Sequence, residues 1–305
     1  MLKINNLTKL YGSFRALDNL CLEIPTGSVY GFVGPNGAGK TTTMKIIAGL
    51  LKADSGEIYV DDVNIINNKD FICEKVGYMP DFFGVYDNLK VIEYLDFYAD
   101  TYYLPEKGRV EKFDYLLNLV NLEDKKDFYV DDLSRGMKQR LCLARSIIHE
   151  PEVVILDEPA SGLDPRARAE MKLILKRLNE MGKTIIISSH ILPELQEMCT
   201  HIGIMEKGRM INTANELQEN NFKKYVVKVI DNANELVKLL ESNEFVSNVS
   251  VENNTAVFDM VDNIEMAGKL LKELCAKDIS VVFFGEKEIS LEETFLQVTG
   301  GVVND

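Results

Sequence analysis

The chain has 305 residues, 46% of them hydrophobic and 27% charged, the composition of a globular protein with room for one large domain or two ordinary ones. A formal net charge of −14 excludes a polyanion-binding surface, because non-specific contact with DNA or RNA needs a basic footprint. It does not exclude a phosphate pocket, for which backbone N–H groups and one lysine suffice.

The opening "MLKINNLTKLYG" lacks the apolar core of a secretory signal, and no apolar run approaches the ~20 residues of a membrane span. Any membrane role is therefore expected to run through a partner. Cys21, Cys73, Cys142, Cys199 and Cys275 are scattered, with no CxxC pair, and predict reduced, mostly buried thiols in a cytosolic protein. "SVYGFV" reads as a buried strand running into a glycine-rich turn, and "KTTTMKIIAGLL" as the helix that follows. The turn itself, "GPNGAGKT" at residues 34–41, matches G-x-x-x-x-G-K-[ST] between a strand and a helix, the context that confirms a phosphate-binding loop. Its glycines let backbone N–H groups wrap an anion; Lys40 would reach the β- and γ-phosphates, and the Thr41 hydroxyl would hold Mg²⁺.

"GYMPDFFGVYDNL" at residues 77–89 is broken by Pro80 and Gly84, and its rings follow neither a helical nor a strand period. Phe82, Phe83, Val85 and Tyr86 therefore line no evident core face, and Asp81 sits beside them. From about 88 to 150 the pattern is helical: "VIEYLDFYADTYYL", "RVEKFDYLLNLV" and "QRLCLARSII". "LSRGMKQR" opens the last of these, with Ser134 as a candidate N-cap whose free hydroxyl, with Gly136, makes a second anion site.

"VVILDEP" and "TIIISSH" are short apolar runs that suit strands buried on both faces of a parallel sheet. Asp157 and Glu158 end the first, where a P-loop fold binds its ligand; Asp157 suits a Mg²⁺ role and Glu158 polarisation of an attacking water. "SGLDP" and His190 are weak signals taken singly, and a lone histidine after a strand is more often structural than catalytic. A hairpin, "HIGIMEKGRMIN", leads to a polar stretch at residues 213–224 and a change of composition, since from residue 222 arginine is absent and acidic residues outnumber lysines. The order beyond it is strand, helix, strand, strand, helix, strand, with Asn253-Asn254 as the middle turn, the ferredoxin-like pattern.

Taken together and in this order, the motifs over residues 1–211 resemble an ATP-binding (ATPase) subunit of an ABC transporter. The resemblance implies an α/β P-loop ABC-type nucleotide-binding domain, a mixed sheet core with a helical subdomain, at residues 1–221. A small α+β ferredoxin-like accessory domain follows at residues 222–305. It implies Tyr11 stacked on adenine; Gly34, Pro35, Asn36, Gly37, Ala38, Gly39, Lys40, Thr41 and Thr42 around the phosphates; and Ser134 and Gly136 as the signature, with Asp164 in the D-loop. Glu158 and His190 become the catalytic pair, and Thr41 and Asp157 the metal ligands. ATP and Mg²⁺ are the implied cofactors, held between two head-to-tail copies of this ATPase or a pair of related ones. "ISLEETFLQVTGG" at residues 289–301 is similar to the closing helix of drug-exporter-like, type-2 systems, in which a separate permease chain holds the ATPase at the cytoplasmic face of the membrane.

Two positions depart from the family pattern. Arg135 and Met137 replace the third and fifth residues of Leu-Ser-Gly-Gly-Gln, and Asp81 stands where the Q-loop carries glutamine. A carboxylate there repels a γ-phosphate unless a cation lies between, which makes Asp81 a candidate metal ligand in a closed state. The aromatic loop becomes a candidate permease seam, against the plain alternative that its rings pack on their own helical subdomain. A non-transport ABC ATPase acting on nucleic acid or ribosomes is the alternative function. The single cassette, the absence of a heptad insertion and the acidic balance speak against it.

Overall fold

The computed structural model describes residues 1–66, 68–82, 84, 86, 88–213, 222–243, 245–261, 263–277 and 279–287. Two compact units divide the chain, Met1–Ala214 and Asn215–Asp305. The expected closing helix at residues 289–301, most of the polar stretch before residue 222, and Phe83 and Val85 lie outside the described residues.

The first unit holds two sheets. β1 (Leu2–Tyr11) and β2 (Phe14–Ile24) form an antiparallel hairpin, extended by β4 (Ser55–Val60) and β5 (Val63–Asn64) in the order β2-β1-β4-β5. The second sheet has the order β10-β9-β3-β8-β7-β6. It comprises β3 (Val29–Val33), β6 (Val76–Met79), β7 (Val153–Asp157), β8 (Thr184–Ser189), β9 (His201–Glu206) and β10 (Arg209–Thr213). Five of these run parallel and only β10 is antiparallel.

Every residue of β3, β7 and β8 is buried, so apolar residues run consecutively (Val153 to Leu156, Ile185 to Ile187) and do not alternate, while the buried polar residues Asp157, Thr184, Ser188 and Ser189 sit toward the strand ends. One face of this sheet shares a core with the first sheet through α1 (Lys40–Ile47), where Phe32, Ile155 and Ile186 meet Met44 and Ile47, and Ile4 and Leu17. α1 stops earlier than the reading "KTTTMKIIAGLL" implies, because Ala48 caps it and Gly49 turns out at φ +70°. Helices α5 (Arg135–Ser146), α6 (Pro165–Glu180) and α7 (Leu192–Met198) belong to the same unit, with α6 and α7 packed on β8. The helical insertion consists of α3 (Val91–Thr101), α4 (Arg109–Leu119) and α5; α2 (Lys69–Lys75) precedes β6.

The second unit has one antiparallel sheet, order β12-β13-β11-β14. Its strands are β11 (Phe222–Val229), β12 (Val246–Glu252), β13 (Thr255–Val261) and β14 (Val281–Glu286), and its helices α8 (Ala233–Glu241) and α9 (Ile264–Ala276). This is the ferredoxin-like order. Tyr225, Val227, Phe258 and Met260 bury one sheet face against Leu236, Leu240, Leu270 and Leu274. Asn253 and Asn254 both take positive φ, 48° and 63°, as a two-residue hairpin of twisted strands requires.

The cysteine reading needs correction: the thiols are free, but Cys21, Cys73 and Cys275 are exposed, and only Cys142 is fully buried. A small thiol sits on the solvent side of a strand or helix as readily as on the core side, so residue type alone did not place it. Burial pushes the Cys142 thiol up to about 11 and the Cys199 thiol up to about 12. Among the described residues no helix is long and apolar enough to cross a membrane.

Candidate active site

Parallel strands deliver their carboxyl ends to one edge, and the register here is close. Val33 pairs with Ser189, Asp157 with Ser188, and Met79 with Leu156. The loops that leave these four strands carry the glycine turn, Glu158, His190 and Asp81. They line one cleft of about 380 Å³ with Tyr11, Phe14, Ala16, Ser161 and residues 36–42. The topology therefore assembles residues as far apart in the chain as Asn36 and His190 at one edge of one sheet, with Tyr11 and Phe14 of the other sheet beside them.

The glycine turn delivers α1 with its N-terminus toward this cleft. Gly39 precedes the helix at φ +108°, with the Ala16 carbonyl oxygen only 2.8 Å from where a Cβ would stand, so no side chain fits. No side chain caps α1 and its first turn holds no acidic residue, which leaves backbone donors and the helix dipole for an anion. Lys40 is 7% exposed, and its ammonium donates to the carbonyls of Gly34 at 2.6 Å and Pro35 at 3.1 Å. Burial holds its pKa below the ordinary lysine value, and Glu158 and Asp157 oppose that shift.

Thr41 donates its hydroxyl to Asp157 Oδ1 at 3.1 Å. Ser188 donates to the same oxygen at 2.6 Å and accepts the backbone N–H of Glu158 at 3.0 Å. Ser188 is fully buried and was not singled out from the sequence; its one signal is that the apolar run Ile185 to Ile187 ends on two consecutive hydroxyls, Ser188 and Ser189. A hydroxyl and a carboxylate within hydrogen-bond reach are the hard oxygen donors that Mg²⁺ takes, so this pair fits the ion. Glu158 sits at φ +51°, an unusual backbone for a residue with a Cβ and one typical of functional positions.

Glu158 Oε2 lies 2.9 Å from His190 Nδ1. A carboxylate only accepts, so Nδ1 carries the proton and Nε2 is left for another partner. Burial pushes the Glu158 carboxyl above its ordinary value, while His190 and Lys40 pull it down and Asp157 adds to the rise. The Tyr78 hydroxyl is pushed up by burial and then by the nearby carboxylates of Asp157 and Asp81, which brings Asp81 into the electrostatic surroundings of Asp157.

Tyr11 and Phe14 pair across the β1–β2 turn and are 50% and 60% exposed; Lys9 Nζ stands over one face of the Tyr11 ring at 5.6 Å. Phe14 was missed because one exposed ring beside a turn carries no periodic signal. Ser134, Gly136 and Asp164 are not among the cleft-lining residues. Ser134 caps α5 as expected, its oxygen accepting the Met137 N–H at 3.3 Å, which leaves the O–H proton to donate to an anion. Asp164 caps α6, accepting the Ala167 N–H at 2.8 Å.

The unusual Arg135 has a structural account. Its guanidinium donates to the Ser161 carbonyl at 3.2 Å, and Gln139 donates to the same oxygen at 3.1 Å. Gly162, at φ +67°, leaves room for it, since a Cβ there would stand 2.6 Å from Arg135 Cζ. Of the four apolar side chains singled out in the 77–89 loop, Phe82 and Tyr86 are among the described residues, and both are exposed. Phe82 is 89% exposed, whereas Tyr86 packs edge-on to Phe97 of α3 at 5.1 Å.

A family model described as ABC transporter matches residues 17–161. The chain is 35% identical over 304 residues to the bacitracin transport ATP-binding protein BcrA of Bacillus licheniformis, covering 99% of this chain and 98% of that one. It is 33% identical to the Nod factor export ATP-binding protein I of Cupriavidus metallidurans, covering 100% and 99%. Among solved structures, CbiO1 of Clostridium perfringens, part of the ABC transporter complex CbiONQ, is similar with TM-score 0.64 and 31% identity, covering 72% of this chain and 90% of that one. A dimeric ATP-binding cassette in a post-hydrolysis state, bound to ADP and Pi, is similar with TM-score 0.63 and 27% identity, covering 70% and 97%.

Proposed function

The chain belongs to the ABC transporter family, and from that premise we propose that two cassettes close head to tail on ATP, hydrolyse it, and so drive export through a permease on a separate chain. Binding and hydrolysis of ATP are the family's activity. The observation that carries the rest is the division of the anion-binding groups. Lys40, Thr41, Glu158 and His190 surround one cleft, while the α5 N-terminus with Ser134 and Gly136 stands apart from it. An anion site set apart from the phosphate loop of its own subunit is complete only when another copy brings its bound phosphate. Export is the direction favoured by the Nod factor export relative. The cargo belongs to the permease.

Within that reading Tyr11 stacks on the base, with Phe14 beside it, and the backbone of residues 34–42 wraps the phosphates. Lys40 must then leave the Gly34 and Pro35 carbonyls, exchanging two neutral acceptors for anionic ones. Thr41 and Asp157 would hold Mg²⁺, which neutralises phosphate charge when bound. Glu158 orients the attacking water and takes its proton, and His190 holds that carboxylate in place.

Complementation tests the head-to-tail arrangement. Lys40→Ala spoils the phosphate loop and Ser134→Arg spoils the signature, so each variant alone should be inactive. A mixed dimer carries one intact composite site. An equimolar mixture should therefore recover about a quarter of the unchanged rate, from the statistics of symmetric pairing. No recovery, with dimers present, would rule the arrangement out.

Asp81 extends the proposal to coupling. It lines the cleft and is exposed, one residue before the exposed ring of Phe82. A carboxylate in that place tolerates the γ-phosphate only through a cation, so permease contact at Phe82 would set the Mg²⁺ affinity. Asp81→Gln should shift the Mg²⁺ concentration for half-maximal ATPase upward. Unaltered Mg²⁺ dependence together with unaltered transport would remove Asp81 from the site.

A further inference from the structure

Two helices that carry none of the cleft residues nevertheless meet at a buried charge. Glu194 lies in the first turn of α7 with its side chain only 6% exposed, and Arg168 of α6 brings Nε to 3.0 Å from its Oε1. The other oxygen, Oε2, accepts the hydroxyl of Ser189 at 3.2 Å. Ser189 is 3% exposed, ends β8, and immediately precedes His190; its oxygen in turn accepts the Ile191 N–H at 3.0 Å. At the far end, Arg168 donates through Nη2 to the carbonyl of Leu163 at 3.3 Å. Leu163 is the neighbour of Asp164, in the loop whose Ser161 carbonyl receives Arg135 and Gln139.

We propose that Arg168, Glu194 and Ser189 are a positioning relay, which holds His190 against Glu158 according to where the 161–164 loop stands. Glu194 is buried while Arg168 is 40% exposed, and Nε and Oε1 meet at ion-pair distance without a hydrogen bond. Arg168 thus supplies the charge and Ser189 the one hydrogen bond that keep this carboxylate from being stranded. One end is bonded to the residue before Asp164 and the other to the residue before His190. A shift of the loop, on which a second cassette would press, is thus transmitted through an ion pair between helices to the Glu158–His190 contact at 2.9 Å. The relay rests on the reading of Glu158 and His190 as the hydrolytic pair. The charged and titratable groups acting on Glu158 are His190, Lys40 and Asp157, so the relay acts on it only through His190.

The test uses the full-length chain with Ser189→Ala, Glu194→Gln, Arg168→Met and Arg168→Lys, measuring kcat, KM for ATP and Tm. Displacing His190 should lower kcat about tenfold in the first three. KM should stay within about twofold, because the nucleotide contacts are untouched. Arg168→Lys keeps the charge and should recover most of the rate. An unchanged kcat in folded Ser189→Ala and Glu194→Gln overturns the relay, as does a KM that rises in step with the loss. Should Glu194→Gln fail to fold, Ser189→Ala removes one hydroxyl and decides alone. Glu158→Gln in the same assay separates the two readings. An active Glu158→Gln overturns the hydrolytic pair itself, whereas an inactive one beside an unaffected Ser189→Ala overturns only the relay.

Discussion

Glu158→Gln is expected to lower ATP turnover by about 10²- to 10⁴-fold, the usual contribution of a positioned general base. The amide keeps the size of the side chain and can still accept from His190 Nδ1, so the local geometry is preserved. What it loses is the capacity to take a proton from water. ATP affinity should not fall, since the substitution removes a negative charge from a cleft that receives a polyphosphate. The variant should accumulate as an ATP-bound dimer, visible by sedimentation at saturating nucleotide, because hydrolysis is the step that reopens it. Wild-type turnover in the purified variant would remove Glu158 from the mechanism.

His190→Ala should cost about 10²-fold in kcat and also change its pH dependence, which separates it from a simple packing defect. The sign follows from the groups around Glu158. Burial raises its pKa, and His190 is the largest influence pulling it down, ahead of Lys40. Without the imidazole the carboxyl rises further, so at a given pH a smaller fraction is ionised and able to act as base. The acid limb of the kcat profile must therefore move to higher pH, and activity lost near neutrality should return in part at alkaline pH. An acid limb that stays in place while kcat falls would mean that His190 acts on the substrate alone, not on Glu158.

Much of the site was legible in the chain because its chemistry is local. The phosphate loop needs a strand, a glycine turn and a helix within some twenty residues, and "SVYGFVGPNGAGKTTTMKII" contains all three. Strands β7 and β8 were readable because burial on both faces leaves a run of apolar residues, whatever they pack against. The Asn253-Asn254 turn was readable because two adjacent positive φ values favour few residue types. What a residue touches across the fold was not readable. Ser188, Ser189, Glu194 and Arg168 are ordinary residues in sequence, and only helix packing on the sheet gives them partners.

The same division runs through the errors. The cysteines, expected mostly inside, lie mostly outside because nothing in a lone thiol's chain context fixes its facing. By itself the sequence determined the kind of fold, the phosphate loop and the identity of the chemical groups, since these follow from short-range periodicity and backbone sterics. The tertiary structure alone decided which groups meet. The ordering β3-β8-β7-β6 brings Lys40, His190, Glu158 and Asp81 to one cleft, and it leaves Ser134 and Gly136 away from it. Parallel strand order is a property of the whole chain's packing, and no local stretch encodes it.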